Sequence, residues 1–256
     1  MSTHLWDRAA LVPARDGERR PELVSLEAGL PTLADLFTFM RDAELRWSTL
    51  RMRIEERTFG TRGELVTTME ASVRHPRHAR VVTSESGPGA ATGHELWLSD
   101  GETIWTYSTT HRLGTKRPIR NRIKLDGDLP GFAQVYEPLT PLPMETLPEL
   151  FIHPAGYCQN VLTTGDCAVT GTDRIAGREA IVVVCDHPRT IERVADRPDF
   201  AIEIAVDRLD GVILRLVESI GREVTRIAEV VHYQPDAPLP PSTFELEFPE
   251  GATILY

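Results

Sequence analysis

From residue 48 onward, hydrophobic and polar positions alternate. Leu50, Met52 and Ile54 are interleaved with Arg51, Arg53 and Glu55, so a strand here has one apolar and one charged face. Gly60 and Gly63 supply a turn, and Leu65, Met69, Ala71 and Val73 continue a second strand. A third is expected around Ala79–Ser86, after Pro76, and a fourth at His94–Ser99, beyond the loop Gly87-Pro88-Gly89. Asp100-Gly101 joins the fourth to Thr103–Tyr107. Asp-Gly suits a type I′ hairpin, whose two central residues need positive φ.

Residues 111–165 break this rhythm. Pro118, Pro130, Pro138, Pro141, Pro143, Pro148 and Pro154 forbid long strands, and short helices are expected at Gly131–Glu137 and Glu145–Ile152. Alternation resumes at Cys167–Ile175, Glu179–Cys185, Phe200–Val206, Val212–Ser219 and Arg222–Tyr233, with turns at Ala176-Gly177, Asp210-Gly211 and Gly221. A last strand is expected on Phe244, Leu246 and Phe248. The one longer helix begins at Pro31-Thr32, with Thr32 as N-cap and Asp35 three residues on. Its apolar positions are Leu33, Leu36, Phe37, Met40 and Trp47. Residues 1–30 are polar and aperiodic, an N-terminal arm ahead of a single domain, 31–256, with a helical, Pro-rich insert at about 118–160.

These elements predict an α+β fold, mostly antiparallel β: an unclosed half-barrel of about ten strands with helices covering its concave face. A sheet this wide twists and curls rather than lying flat. Such a fold commonly leaves an apolar cavity under its helices.

Charge narrows the partners. With 28 basic and 38 acidic residues the net charge is −10, which argues against nucleic acid. The longest apolar run, Ala180–Cys185, is far short of the ~20 residues of a spanning helix. The N-terminus has no apolar secretory core, so a cytoplasmic location is expected, and three cysteines (Cys158, Cys167, Cys185) agree with a reducing compartment.

Signatures of chemistry are weak. The chain has no G-x-S-x-G elbow, no phosphate-binding loop and no H-E-x-x-H. Gly87–Gly93 misses the dinucleotide spacing and leads into a strand, not a helix. Cys185 and His187 could approach Cys158 and Cys167, but without the tight Cys pairs of a zinc site; His75 and His78 lack a third ligand. No metal, cofactor or catalytic residue is therefore expected, and the chain reads as a non-enzyme. Trp97, Trp105 and Tyr107, on two hairpin-linked strands, suit either core packing or the wall of an apolar site.

The string His94-Glu95-Leu96-Trp97-Leu98-Ser99-Asp100-Gly101-Glu102-Thr103-Ile104-Trp105-Thr106-Tyr107, with Val73-Arg74-His75-Pro76 before it, resembles the bacterial lipoprotein carrier (LolA-like) superfamily. The resemblance extends to the carrier-like domain of sigma-factor regulators. Val206-Asp207, Asp210-Gly211-Val212-Ile213 and Phe244–Gly251 are similar to the closing strands of that family, and Ile175–Ala180 to a hairpin of its actinobacterial members. The resemblance implies a half-barrel that binds acyl chains in a hydrophobic cavity without chemistry. It also implies a lid contact at the residue before the proline, His75 here, where the family has arginine; Arg74 should point to the other face.

The expected function is therefore binding of a lipid acyl chain or an acylated protein. The expected wall is Met52, Ile54, Met69, Trp97, Trp105 and Tyr107, with Phe132 and Phe151 from the helical cover and His75 as a polar contact. The alternative is a protein–protein regulatory module with a collapsed cavity, whose partner is a regulatory protein.

Overall fold

A computed structural model describes residues 23–60, 63–119, 138–186 and 199–256. Helix α1, Leu33–Arg41, starts as its cap pattern requires: Thr32 Oγ1 accepts the Asp35 N–H at 3.2 Å and donates to the Asp35 carboxylate at 2.6 Å. Leu36, Phe39 and Met40 form its buried stripe. The helix stops at Arg41, short of Trp47, and a single 3-10 turn at Ala43–Leu45 leads into the sheet.

Among the described residues twelve strands follow, rather than about ten. They are β1 (Thr49–Gly60), β2 (Gly63–Arg74), β3 (His78–Ser86), β4 (His94–Asp100), β5 (Thr103–Ser108) and β6 (Leu113–Pro118), then β7 (Asp166–Ile175), β8 (Arg178–Asp186), β9 (Phe200–Asp207), β10 (Ile213–Ile220), β11 (Glu223–Pro235) and β12 (Thr253–Leu255). Helices α2 (Leu147–Ile152) and α3 (Pro154–Asn160) lie between β6 and β7. Strand order is β12-β6-β5-β4-β3-β2-β1-β11-β10-β9-β8-β7. Two hairpin meanders thus meet at the β1–β11 seam. Every pairing is antiparallel except β12 on β6.

The two halves of the sheet differ in register. The ladders β1–β11, β11–β10, β10–β9 and β8–β7 each carry a shift, at Arg53/Ile54, Glu218/Ser219, Ile213/Arg215 and Val169/Gly171. The ladders from β1 through β6 run without one. An extra residue bends a strand and tightens its twist. The bulged half curls until parts of β7 lie within 8 Å of β11, Cα to Cα, although three strands separate them in the sheet. The sheet stays open, ending at β7 on one side and β12 on the other.

Helix α1 packs on β7 and α3, and α2 lies between β2 and β10, so the helices fill the inside of the curl. Leu50, Met52, Ile54, Val73, Ala79, Val183, Ile202, Ile204, Leu216 and Val230 join Phe39, Met40, Phe151 and Ile152 in one continuous core. The outer face of the bulged half is wet; there Arg215 pairs with Asp173 at 2.6 Å and Glu203 at 3.0 Å.

One strand was not expected from the sequence, and two sequence expectations fail in the structure. Strand β6 lies inside the Pro-rich stretch, ending at Pro118, where the missing N–H costs the ladder least. Phe244, Leu246 and Phe248 form no strand: Pro241–Phe244 is a 3-10 turn, and the last strand is Thr253–Leu255, parallel to β6. The Asp-Gly turns are not two-residue type I′ loops. The β4–β5 ladder ends at Ser99–Ile104, Gly101 alone of the turn takes positive φ, and Asp100 Oδ1 accepts the N–H groups of Glu102 and Thr103. Asp207 Oδ1 does the same for Leu209 and Asp210. The expected helix at Gly131–Glu137 lies outside the described residues.

Candidate functional site

Register sorts the expected wall residues onto two faces. Met52 pairs with Ala71, Ala71 with Val81, and Val81 with Trp97, so these four share the inner face; Ile54 and Met69, paired with each other, lie beside them. Met52 and Ile54 are fully buried, Met69 nearly so, and Trp97 partly buried against the same core. Phe151 of α2 meets them from the helical side. The structure therefore brings Met52, Ile54, Met69, Trp97 and Phe151 together.

Trp105 and Tyr107 are on the opposite face. Trp105 pairs with Leu98 and Tyr107 with Leu96, each one residue out of phase with Trp97. The C-terminal chain covers them: Phe248 packs 5.5 Å from Trp105 and 6.0 Å from Tyr107, ring centre to ring centre, and lies over Gly114, where no side chain intervenes. Placing Trp105 and Tyr107 on the inner wall is thus corrected. This stretch of sheet is apolar on both sides, and a strand pattern does not say which side faces the helices. Phe132 lies outside the described residues.

His75 sits in the β2–β3 turn, its ring stacked on Trp47 at 4.3 Å and its Nδ1 2.7 Å from Thr140 Oγ1. Thr140 Oγ1 also accepts the Arg77 N–H at 2.9 Å. Arg74 points to the outer face, as its parity requires, with its guanidinium over Phe244. Burial, and then the neighbouring His153, push the His75 imidazole down to about 3, so its ring is neutral. Beside it, the buried Glu44 carboxylate accepts the Leu139 N–H at 2.9 Å and lies 3.3 Å from His153 Nε2, at the elbow between α2 and α3. Glu44 Oε1 and both His153 ring nitrogens have no hydrogen-bond partner among the described residues. This polar knot ties the turn after α1, the β2–β3 turn and the helical elbow together. Of its members only His75 was visible in sequence, because Glu44, Thr140 and His153 share no spacing.

Two further charged clusters face inward. Arg226 pairs with Glu56 and, at 3.2 Å, with Glu218. Burial opposes its charge, but the two carboxylates more than offset that and raise its pKa. The Tyr157 hydroxyl of α3 is pushed upward by burial and by Glu218. At the other end of the curl, Arg178 forks onto Asp207 and reaches Asp210 at 2.6 Å; Tyr233 donates to the same Asp210 oxygen at 3.0 Å. Asp207 is fully buried. Charge-assisted, bidentate bonding of this kind fixes geometry, and here it locks the β9–β10 turn against β8 and β11.

Chemically, the inner surface is a hydrophobic wall with paired charges at its ends. Among the described residues no group of three or more His, Cys, Asp or Glu side chains is placed to hold a metal ion. No described helix is long and apolar enough to cross a membrane.

Comparison with known proteins finds likeness in structure and none in sequence. No family model matches, and no curated protein matches by sequence. Solved structures do. An uncharacterized conserved protein from Thermus thermophilus is 14% identical, with a TM-score of 0.46 over 87% of this chain and 98% of its own. The Pseudomonas aeruginosa MucA/MucB complex matches at 14% identity and a TM-score of 0.47, covering 84% of this chain and 60% of that one. A LolA superfamily protein from Nitrosomonas europaea is 11% identical, with a TM-score of 0.33 over 84% of this chain and 98% of its own. This chain thus spans 60% of the matched chain of that complex and nearly all of the other two.

Proposed function

We propose that the protein binds the acyl chain of a lipid or lipoprotein between the inner face of its sheet and the helices inside the curl, without transforming it. The observation that carries this reading is the contrast between wall and plug. The wall of Met52, Ile54, Met69 and Val81 is continuous and apolar, while the helices against it have nine, six and seven residues. Helices this short do not persist in water alone. Packing holds them in place, and an aliphatic chain that replaces the packing displaces them at little intrinsic cost. Met40, Met52 and Met69 line the boundary, with Cys158 Sγ 3.8 Å from Met40 Sδ. Thioether side chains repack around varied shapes. Each buried CH₂ contributes ~0.8 kcal/mol, so a twelve-carbon chain offers on the order of 10 kcal/mol before ordering costs.

On this reading Met52, Ile54, Met69, Trp97 and Phe151 contact the chain, and Trp105 and Tyr107 do not. The test is titration with a fluorescent fatty acid, together with native mass spectrometry of the protein from its host. Trp97→Ala should weaken uptake about tenfold, the order expected for losing one large aromatic contact, while Trp105→Ala leaves it unchanged. Absence of co-purifying lipid and of uptake sinks the proposal; so does equal sensitivity to the two substitutions.

A second reading, docking of a protein partner, is favoured by β7. This ten-residue strand ends the sheet, and its side chains alternate exposed and half-buried up to Ile175. An edge strand offers a free row of backbone groups for an added strand. Stoichiometric recovery of a partner, lost when Thr170→Pro blocks the edge, would select this reading.

A further inference from the structure

The two cysteines nearest the sheet edge have a defined relation. Cys167 on β7 and Cys185 on β8 are direct cross-strand partners. Directly opposed residues of an antiparallel pair have Cα atoms roughly 4.5–5.5 Å apart, within the range a disulfide spans. Both side chains turn to the same point: Cys167 Sγ donates to the Leu162 carbonyl at 3.0 Å, and Cys185 Sγ to the same oxygen at 3.4 Å. Both are free thiols, Cys185 buried and Cys167 partly exposed. Leu162 opens the 3-10 turn that follows α3, and its carbonyl also accepts the Gly165 N–H at 3.1 Å.

We propose that Cys167 and Cys185 are a reversible redox pair, and that their oxidation to a disulfide releases the end of α3 from the sheet. With glutathione disulfide as oxidant, a thiolate of the pair attacks one glutathione sulfur and expels glutathione thiolate, leaving a mixed disulfide. The partner sulfur then attacks that bond, forming Cys167–Cys185 and expelling the second glutathione. The two thiol protons end on the two glutathione molecules, and the protein has lost two electrons. The product has no S–H group, so Leu162 keeps only the Gly165 N–H.

The pair is set apart from the third cysteine. Burial pushes the Cys158 thiol up to about 12, and its neighbour is the Met40 thioether. Within the pair, the Cys167 S–H favours the Cys185 thiolate and brings Cys185 below the ordinary thiol range, against burial and the Asp186 and Asp166 carboxylates, while Cys185 and burial push the Cys167 thiol up. Thiolate character with a resolving thiol alongside marks a redox-active site. This inference does not depend on the ligand proposed above.

The experiment is incubation of the full chain with glutathione disulfide, followed by thiol titration, intact mass and peptide mapping. The expected result is a fall from three free thiols to one, a mass loss of about 2 Da, and a Cys167–Cys185 cross-link that Cys158→Ser leaves intact and Cys185→Ser abolishes. Hydrogen exchange supplies the second readout. The amides of Val161 and Gly165 should exchange about fivefold faster in the oxidised protein, the scale of one modest hydrogen bond. Persistence of three thiols, or a cross-link to Cys158, overturns the pair. A disulfide that leaves those amides unchanged overturns the release of α3.

Discussion

Protonation of His75 should make the protein acid-sensitive in a defined window. In the folded chain its imidazole is held down to about 3 from an ordinary value of 6.5, by burial first and by His153 second. A histidine whose folded pKa is depressed contributes its full share of stability above the unfolded value. That share is lost as pH falls from about 6.5 toward 3, because only the unfolded chain takes up the proton. At pH 5 the unfolded chain has gained about 1.5 pH units of binding, and at 1.36 kcal/mol per unit the loss is about 2 kcal/mol. Urea denaturation of the wild type and of His75→Asn, each at pH 7.5 and pH 5.0, measures this. Asparagine keeps a polar group near Thr140 and does not titrate. The carboxylates contribute to both proteins alike, including Glu149, whose pKa burial raises, and Asp100, whose pKa is lowered by hydrogen bonds from Trp105, Glu102 and Thr103 that outweigh burial. The wild type should therefore lose about 2 kcal/mol more than the variant between the two pH values. Equal losses would mean that His75 is charged or solvated in the folded chain, and would remove burial as the cause of its neutrality.

The same structure makes two further claims. Gly114→Ala places a Cβ against the Phe248 ring, so the C-terminal chain must shift; unfolding free energy should fall by about 1–3 kcal/mol, with a change in Trp105 fluorescence. An unchanged emission spectrum would show that Phe248 does not rest there. Arg226→Met leaves Glu56 and Glu218 facing each other without their cation, and should cost about 2–3 kcal/mol at neutral pH, largely restored by adding Glu218→Gln. No restoration in the double variant would show that the loss is one of packing rather than charge.

Much of the sheet was legible because one face of most strands is wet. Leu50, Met52 and Ile54 against Arg51, Arg53 and Glu55 is a pattern that burial alone writes, and the structure buries the first set and leaves the second at the surface or half-buried. Strand β6 was illegible for the opposite reason. Its sequence, Leu113-Gly114-Thr115-Lys116-Arg117-Pro118, has no alternation, because Gly114 yields its space to Phe248 and Lys116 lies over the Trp105 ring. Phe244, Leu246 and Phe248 do alternate, yet the chain there crosses the sheet instead of joining it, with Phe244 buried against His78 and Arg74. Helix α3 hides behind Pro154, which reads as a breaker but sits at the first helical position, where its missing N–H does no harm. The site divides in the same manner. Met52, Ile54, Met69 and Phe151 were readable as apolar positions, whereas the face of Trp105 and Tyr107 depended on a cover supplied by the distant C-terminus.

The seam between β1 and β11 has a bearing on how the chain assembles. Each meander grows by local hairpins, but β1 waits for β11, made more than 150 residues later. Until β11 emerges from the ribosome, the free side of β1 is an unpaired template open to other nascent chains. Arg51, Arg53, Glu55 and Arg57 along that strand put charge, mostly positive, on its solvent side, which discourages such encounters before the two halves join.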